Sequence, residues 1–167
     1  MELLLACSRT TVDAGTASRL RDLVQQGVDW DMILAAAEAH DTRPLLARSL
    51  AAAVPDAVPA HVTASLRQWV QANRLRSVRL TAELVRLSRA LQKADVPALP
   101  LKGPLLAEMA YGDIALRYSI DLDLLVHPQH LERALKVLAD SGYQLSQDCR
   151  QHEQAYRHVH NHLTMVN

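Results

Sequence analysis

The stretch from Pro59 to about Ala94 constrains the fold most, because it reads as one long helix, straight or bent. At helical spacing, Val62, Leu66, Trp69, Asn73, Leu80, Leu84, Leu87 and Leu91 fall within one apolar stripe. Arg67, Arg74, Arg79, Arg86, Arg89 and Lys93 fall broadly opposite. That basic side is either a phosphate or nucleic-acid surface or simply a solvated face. The solvated face is the simpler account. Arginine is a good helix former, and no aromatic side chain interleaves with the basic ones. The chain as a whole is neutral, with Lys plus Arg at 18 and Asp plus Glu at 18. Overall charge therefore implies no polyanion and no membrane-surface partner, and strong binding of duplex DNA is not expected.

The residues before this helix share its character. Residues 2–8 read as a short apolar helical turn. Thr16 to Gln26 follows with Leu20, Leu23 and Val24 on one face and Gly27 as its stop. Asp29 is placed to cap a helix in which Trp30, Ile33, Leu34 and Ala37 recur at helical spacing. His40-Asp41-Thr42 breaks that helix, and Pro44 suits the first turn of another, running to about Ala53. Residues 54–59 form a loop, since Pro55 and Pro59 forbid regular pairing. Phe is absent and aromatics are 4% of the chain, so the core must be built from Leu, Ala and Val. Residues 1–95 are thus expected to be a helical N-terminal region. Leu4-Leu5-Ala6-Cys7 has the look of a lipoprotein cleavage box but lacks the basic and apolar segments such a signal needs. No run approaches a membrane span, and Cys7 and Cys149 are expected to be reduced thiols of a cytoplasmic protein.

The pattern changes at Val96. Val96 to Leu101 is short, apolar and interrupted by proline, as in an edge strand. Lys102-Gly103-Pro104 leads into a helix over 105–111, ended by Gly112-Asp113. A second strand covers 121–126. An amphipathic helix follows over 128–141, with Leu131, Ala134, Leu135 and Leu138 inward and Gly142 closing it. Tyr143 to Ser146 is a third strand, and the tail from Tyr156 reads as a fourth, with Val159, Leu163 and Met165 on one side. The class is α+β: a helical region followed over 96–167 by a mixed β-sheet with flanking helices.

Within the second strand, Asp121-Leu122-Asp123 places two carboxylates on one face. Like charges that close repel unless a cation lies between them, and hard divalent cations prefer oxygen ligands. The plainer reading has one aspartate capping a turn before a buried strand.

Lys102-Gly103 after a strand, an intervening helix, Arg117, the run Asp121-Leu122-Asp123-Leu124-Leu125-Val126, then helix and Gly142-Tyr143, resembles the DNA polymerase β-type nucleotidyltransferase superfamily. More narrowly, it is similar to a bacterial family of uncharacterised nucleotidyltransferases with a Lys-Gly, Arg and Asp-x-Asp pattern. The resemblance is strongest over 96–143. It implies that Asp121 and Asp123 are catalytic metal ligands for Mg²⁺ or Mn²⁺. Lys102 and Gly103 would form the turn that cradles a nucleoside triphosphate, and Arg117 would be a second phosphate contact. The reaction implied is transfer of a nucleoside monophosphate to an acceptor hydroxyl of unknown identity. Taken by themselves, Lys102 is equally an exposed loop lysine and Arg117 a salt-bridge partner of Asp121 or Asp113.

The family pattern also asks for a third carboxylate on a later strand. Asp148 and Glu153 follow the third strand in loop-like surroundings, and an acid-x-His strand is expected further along, near or past Asn167. The core is thus expected to be incomplete at the C-terminus. His158, His160 and His162 alternate, with His152 nearby, and are read as a polar strand face rather than a zinc site. Two readings stand beside the enzyme: a non-catalytic nucleotide- or partner-binding module that keeps the fold, and a helical interaction domain in which Asp-x-Asp is only a cap.

Overall fold

The computed structural model describes residues 1–147, 149 and 163–166. Its long helix, α5, spans Ala60–Lys93. Along the predicted stripe, Val62, Leu66, Asn73, Leu87 and Leu91 are buried, and Trp69, Leu80 and Leu84 are half-buried. All six basic residues of the opposite side are exposed, as a solvated face requires. Four shorter helices precede it: α1 Glu2–Cys7, α2 Ala14–Gln25, α3 Trp30–Ala39 and α4 Arg43–Ala53. After it come β1 Ala98–Leu101, α6 Gly103–Tyr111, β2 Asp123–Val126, α7 Leu131–Asp140, β3 Gln144–Leu145 and β4 Met165–Val166. This is the α+β class with a helical N-terminal region. Among the described residues no helix is long and apolar enough to cross a membrane.

The chain divides into two units. The first comprises Met1–Ala82 and Pro100–Asp123. Its core is aliphatic, as a chain without Phe must make it: Leu3, Leu4, Leu20, Ile33, Leu46, Leu50, Val62 and Leu66 are buried together. Local signals set the helix starts. Asp13 accepts the Thr16 amide at 2.7 Å and Asp29 accepts the Met32 amide at 3.0 Å, so both are N-caps. The Asp29 cap is the predicted one; the Asp13 cap starts α2 two residues earlier than its apolar pattern indicates. Cys7 is fully buried, and its carbonyl accepts the buried Ser49 hydroxyl at 3.1 Å. Burial pushes the Cys7 thiol up to about 11, with the Ser49 contact opposing. Neither Cys7 nor Cys149 is in a disulfide.

The second unit comprises Glu83–Leu99 and residues from Leu124 onward. Leu91, Val96 and Ala134 form its buried centre, against Ala98, Leu124, Val126 and Val137. β1 and β2 are neighbours in one sheet. β3 and β4 pair antiparallel in another, Gln144 opposite Val166 and Leu145 opposite Met165. Gly142 takes a left-handed φ of 98° just past α7, the position the sequence assigns it. Most of the predicted tail strand, including Val159, lies outside the described residues.

A polar clasp sits in this unit. Arg86 donates to both Glu83 oxygens, at 2.8 and 2.6 Å, and to the Ser141 carbonyl at 3.1 Å. The Tyr143 hydroxyl donates to Glu83 at 2.8 Å. The Arg86 bonds hold the Glu83 carboxyl below its ordinary value; burial opposes them and the Tyr143 bond adds to them. A carboxyl depressed in the folded state stabilises above its unfolded value, about 4.3, and that contribution is lost as pH falls through the folded value. Arg86→Gln is expected to weaken this dependence, leaving the smaller part that the Tyr143 bond supplies. Denaturation midpoints of the parent protein should therefore fall more steeply than those of the variant as pH drops below about 4.3. Parallel slopes would count against the clasp.

Candidate active site

β1 ends at Leu101, and the chain then turns sharply into α6. Lys102 makes this turn with φ 49° and ψ −142°, backbone angles that suit glycine far better than a residue with a side chain. Gly103 also has a positive φ, 49°. A Cβ at Gly103 would lie 3.7 Å from the Asp121 carbonyl, an ordinary contact, so backbone angle rather than space calls for glycine there. α6 begins at Gly103, two residues before the predicted start, because Pro104 fits the first turn of a helix.

The segment after α6 is moored to α5. Asp113 accepts the Ala115 amide at 2.8 Å and opens a short 3₁₀ turn, Ile114–Leu116. The Asn73 side-chain amide, 1% exposed, donates to the Ala115 carbonyl at 2.8 Å and reaches the Arg117 carbonyl at 3.5 Å. The Tyr118 ring packs on Trp69 with centroids 5.7 Å apart. The Arg76 guanidinium lies 4.9 Å over Tyr118, and that of Arg43 lies 5.1 Å over Trp69. Arg117 thus leaves a segment fixed on both sides. Its Nη1 donates to the Ser119 hydroxyl at 3.0 Å. No salt bridge joins it to Asp121 or Asp113 among the described residues, so that alternative for Arg117 is not what the structure adopts.

Asp121 lies in a bend before β2 rather than inside the strand, which begins at Asp123. Strand alternation therefore does not align the pair, as the sequence pattern suggests it should. Both nevertheless line one open cleft of 240 Å³, together with Lys102, Arg117, Ser119 and Asp41. Lys102 Nζ stands 3.4 Å from Asp123 Oδ2, with the two side chains 66% and 40% exposed. An ion pair this exposed adds little stability. It does place the lysine ammonium against the Asp123 carboxylate.

Hard oxygen donors in an open cleft suit Mg²⁺, which keeps several waters and is commonly held by one or two carboxylates plus phosphate oxygens. Asp121 and Asp123 bring carboxylate oxygens of that kind to the cleft. Among the described residues no group of three or more His, Cys, Asp or Glu is arranged to hold a metal by itself. Asp148, Glu153, His152, His158, His160 and His162 lie outside the described residues.

Two residues of this region escape a reading of the sequence for function. Asp41 lines the cleft with a left-handed φ of 54°, although the sequence marks it only as a helix break. Asn73 carries a legible signal: a polar residue in an otherwise apolar stripe must have a partner when buried.

A model of the uncharacterised nucleotidyltransferase family matches residues 26–167. No curated protein and no solved structure matches the chain.

Proposed function

The chain belongs to the uncharacterised nucleotidyltransferase family, and from that premise we propose that its cleft binds a nucleoside triphosphate and transfers the nucleotidyl group to an acceptor hydroxyl. We place it with the DNA polymerase β-type enzymes on the order of its motifs. The observation that carries the reading is that Lys102, Arg117, Asp121 and Asp123 line one cleft. Two cations and two carboxylates are a sensible set for a polyphosphate with its counter-cation.

The residues divide the work. Asp121 and Asp123 would hold Mg²⁺ or Mn²⁺, which when bound neutralises charge on the phosphates. Lys102 supplies a mobile positive charge at the mouth of α6, where Pro104 has removed one amide. Arg117 keeps guanidinium donors beyond the one given to Ser119, enough to fork phosphate oxygens. Gly103 lets the backbone approach the phosphates without a Cβ. In the reaction the acceptor oxygen forms a bond to the α-phosphorus, and the bond from that phosphorus to the bridging oxygen breaks. Pyrophosphate leaves with the bridging oxygen, and the hydroxyl proton passes to solvent. The acceptor classes to be offered are sugar phosphates, small alcohols, protein side chains and RNA ends.

Calorimetry with each of the four common triphosphates, with and without Mg²⁺, tests the binding step. Pyrophosphate release with acceptor pools tests the transfer. Mg²⁺-dependent binding of at least one triphosphate is expected, and none with any of the four would overturn the proposal.

A second reading, a non-catalytic nucleotide-binding module, is favoured by the ion pair between Lys102 and Asp123. There a built-in cation would take the place of the metal. It predicts binding that ignores Mg²⁺ and no pyrophosphate with any acceptor.

Lys102→Gly separates the two roles of that position. Relief of the backbone angle is expected to stabilise the fold by about 1 kcal/mol or more. Loss of the charge is expected to weaken triphosphate binding by about tenfold. Urea unfolding and calorimetry on the same variant should move in opposite senses.

A further inference from the structure

A second cavity, twice the volume of the first, lies in the first unit and takes no part in the proposed chemistry. It measures 480 Å³ and runs between one face of α4 and one face of α5. Ala47 and Ala51 of α4 and Leu66 and Val70 of α5 give it an apolar lining, to which Ala115 and Leu116 add. This is the size and character of a small-molecule pocket.

Its lip is positively charged. Arg67 and Arg74 both line it, two helical turns apart on α5. Neither has an ion pair or hydrogen bond among the described residues. Arg48 also lines it; its terminal nitrogens are held by the carbonyls of Arg9 and Thr10, while its buried Nε has no partner among the described residues. Asp113, the one acid on the wall among the described residues, is engaged with the Ala115 amide. Among the described residues, an apolar floor, two guanidiniums without an ion pair or hydrogen bond and no free carboxylate on the wall define the complement.

We propose that this groove binds an amphipathic anion of small-molecule size: an apolar body on the α4–α5 floor and one anionic head, carboxylate or phosphate, forked by Arg67 or Arg74. The proposal is independent of nucleotidyl transfer. The groove nonetheless shares the segment that Asn73 moors: Ala115 and Leu116 border it, and Arg117 to Asp121 border the cleft.

Calorimetric titration of the whole chain with decanoate, decyl phosphate and decanol, below their aggregation concentrations, tests it. At least one anion should bind saturably at one site, about tenfold tighter than the alcohol of equal chain length. Comparing decanoate with decyl phosphate identifies the preferred head. The double variant Arg67→Gln, Arg74→Gln should reduce the anion to the affinity of the alcohol. Ala51→Trp, at an exposed position, should fill the groove and abolish binding of both. Circular dichroism establishes that each variant is folded, and triphosphate binding serves as a separate readout. Equal affinity for anion and alcohol, unchanged binding in the tryptophan variant, or no binding at all would each overturn the proposal.

Discussion

Asparagine at both Asp121 and Asp123 is expected to abolish Mg²⁺-dependent triphosphate binding and to lower any nucleotidyl transfer by about 10²–10³-fold or more. The change keeps shape and removes two charges. Asp121 is exposed and Asp123 is 40% exposed, so the fold should hold to within about 0.5 kcal/mol. The cleft charge changes sign. Among the described lining residues, Asp41, Asp121 and Asp123 outweigh Lys102 and Arg117 in the parent, whereas in the variant the two cations outweigh Asp41. Triphosphate without Mg²⁺ should therefore bind the variant better than the parent. That reversal separates loss of a metal site from general damage, which would weaken both conditions. Unchanged Mg²⁺-dependent binding would remove Asp121 and Asp123 from the site.

Asn73 should be the most sensitive position outside the cleft. Its amide is the donor that meets the buried Ala115 carbonyl, and its own Oδ1 is buried with no partner among the described residues. Asn73→Leu leaves the carbonyl unmatched, at about 1–3 kcal/mol, but also removes the orphaned oxygen, which offsets part of that. Asn73→Asp is worse. It sets a carboxylate against two carbonyl oxygens in a buried place, at about 3 kcal/mol or more. The expected order of urea midpoints is parent, leucine, aspartate. Loss of the tether should also loosen Arg117, so the leucine variant should bind triphosphate more weakly even where it is fully folded. Midpoints within error of the parent would show that the tether carries no weight.

These two positions also mark what the sequence makes legible. The helical periodicity of Val62, Leu66, Leu87 and Leu91 is a repeated local signal, and burial follows it. Gly142, Pro44 and Asp29 act within a few residues of themselves, so they are read correctly. Strand periodicity does not align the Asp-x-Asp pair, because β2 begins only at Asp123. Its shared cleft with Lys102 depends on the turn at Lys102-Gly103 and on the moored 113–121 segment. Those are tertiary effects. Asp41 is invisible for the same reason: sixty residues separate it from Lys102, and only folding brings both to one cleft. Asn73 lies between the two cases, since its polarity in an apolar stripe announces a partner without naming it.

Cys7 offers a clock for the N-terminal helix. Thiol-modifying reagents attack the thiolate, and a fully buried sulfur raised to about 11 presents almost none at neutral pH. Modification must wait until the six residues of α1 detach. With excess reagent, the rate of alkylation becomes the rate or the equilibrium of that local opening rather than of the chemistry. Cys149 is also buried, so Cys149→Ser leaves Cys7 as the single reporter. Ser49→Ala, which cuts the hydrogen bond to the Cys7 carbonyl, should speed labelling several-fold, about 1 kcal/mol of opening energy. Mass spectrometry against time reads this directly, and labelling as fast as in urea would mean that α1 is not docked in solution.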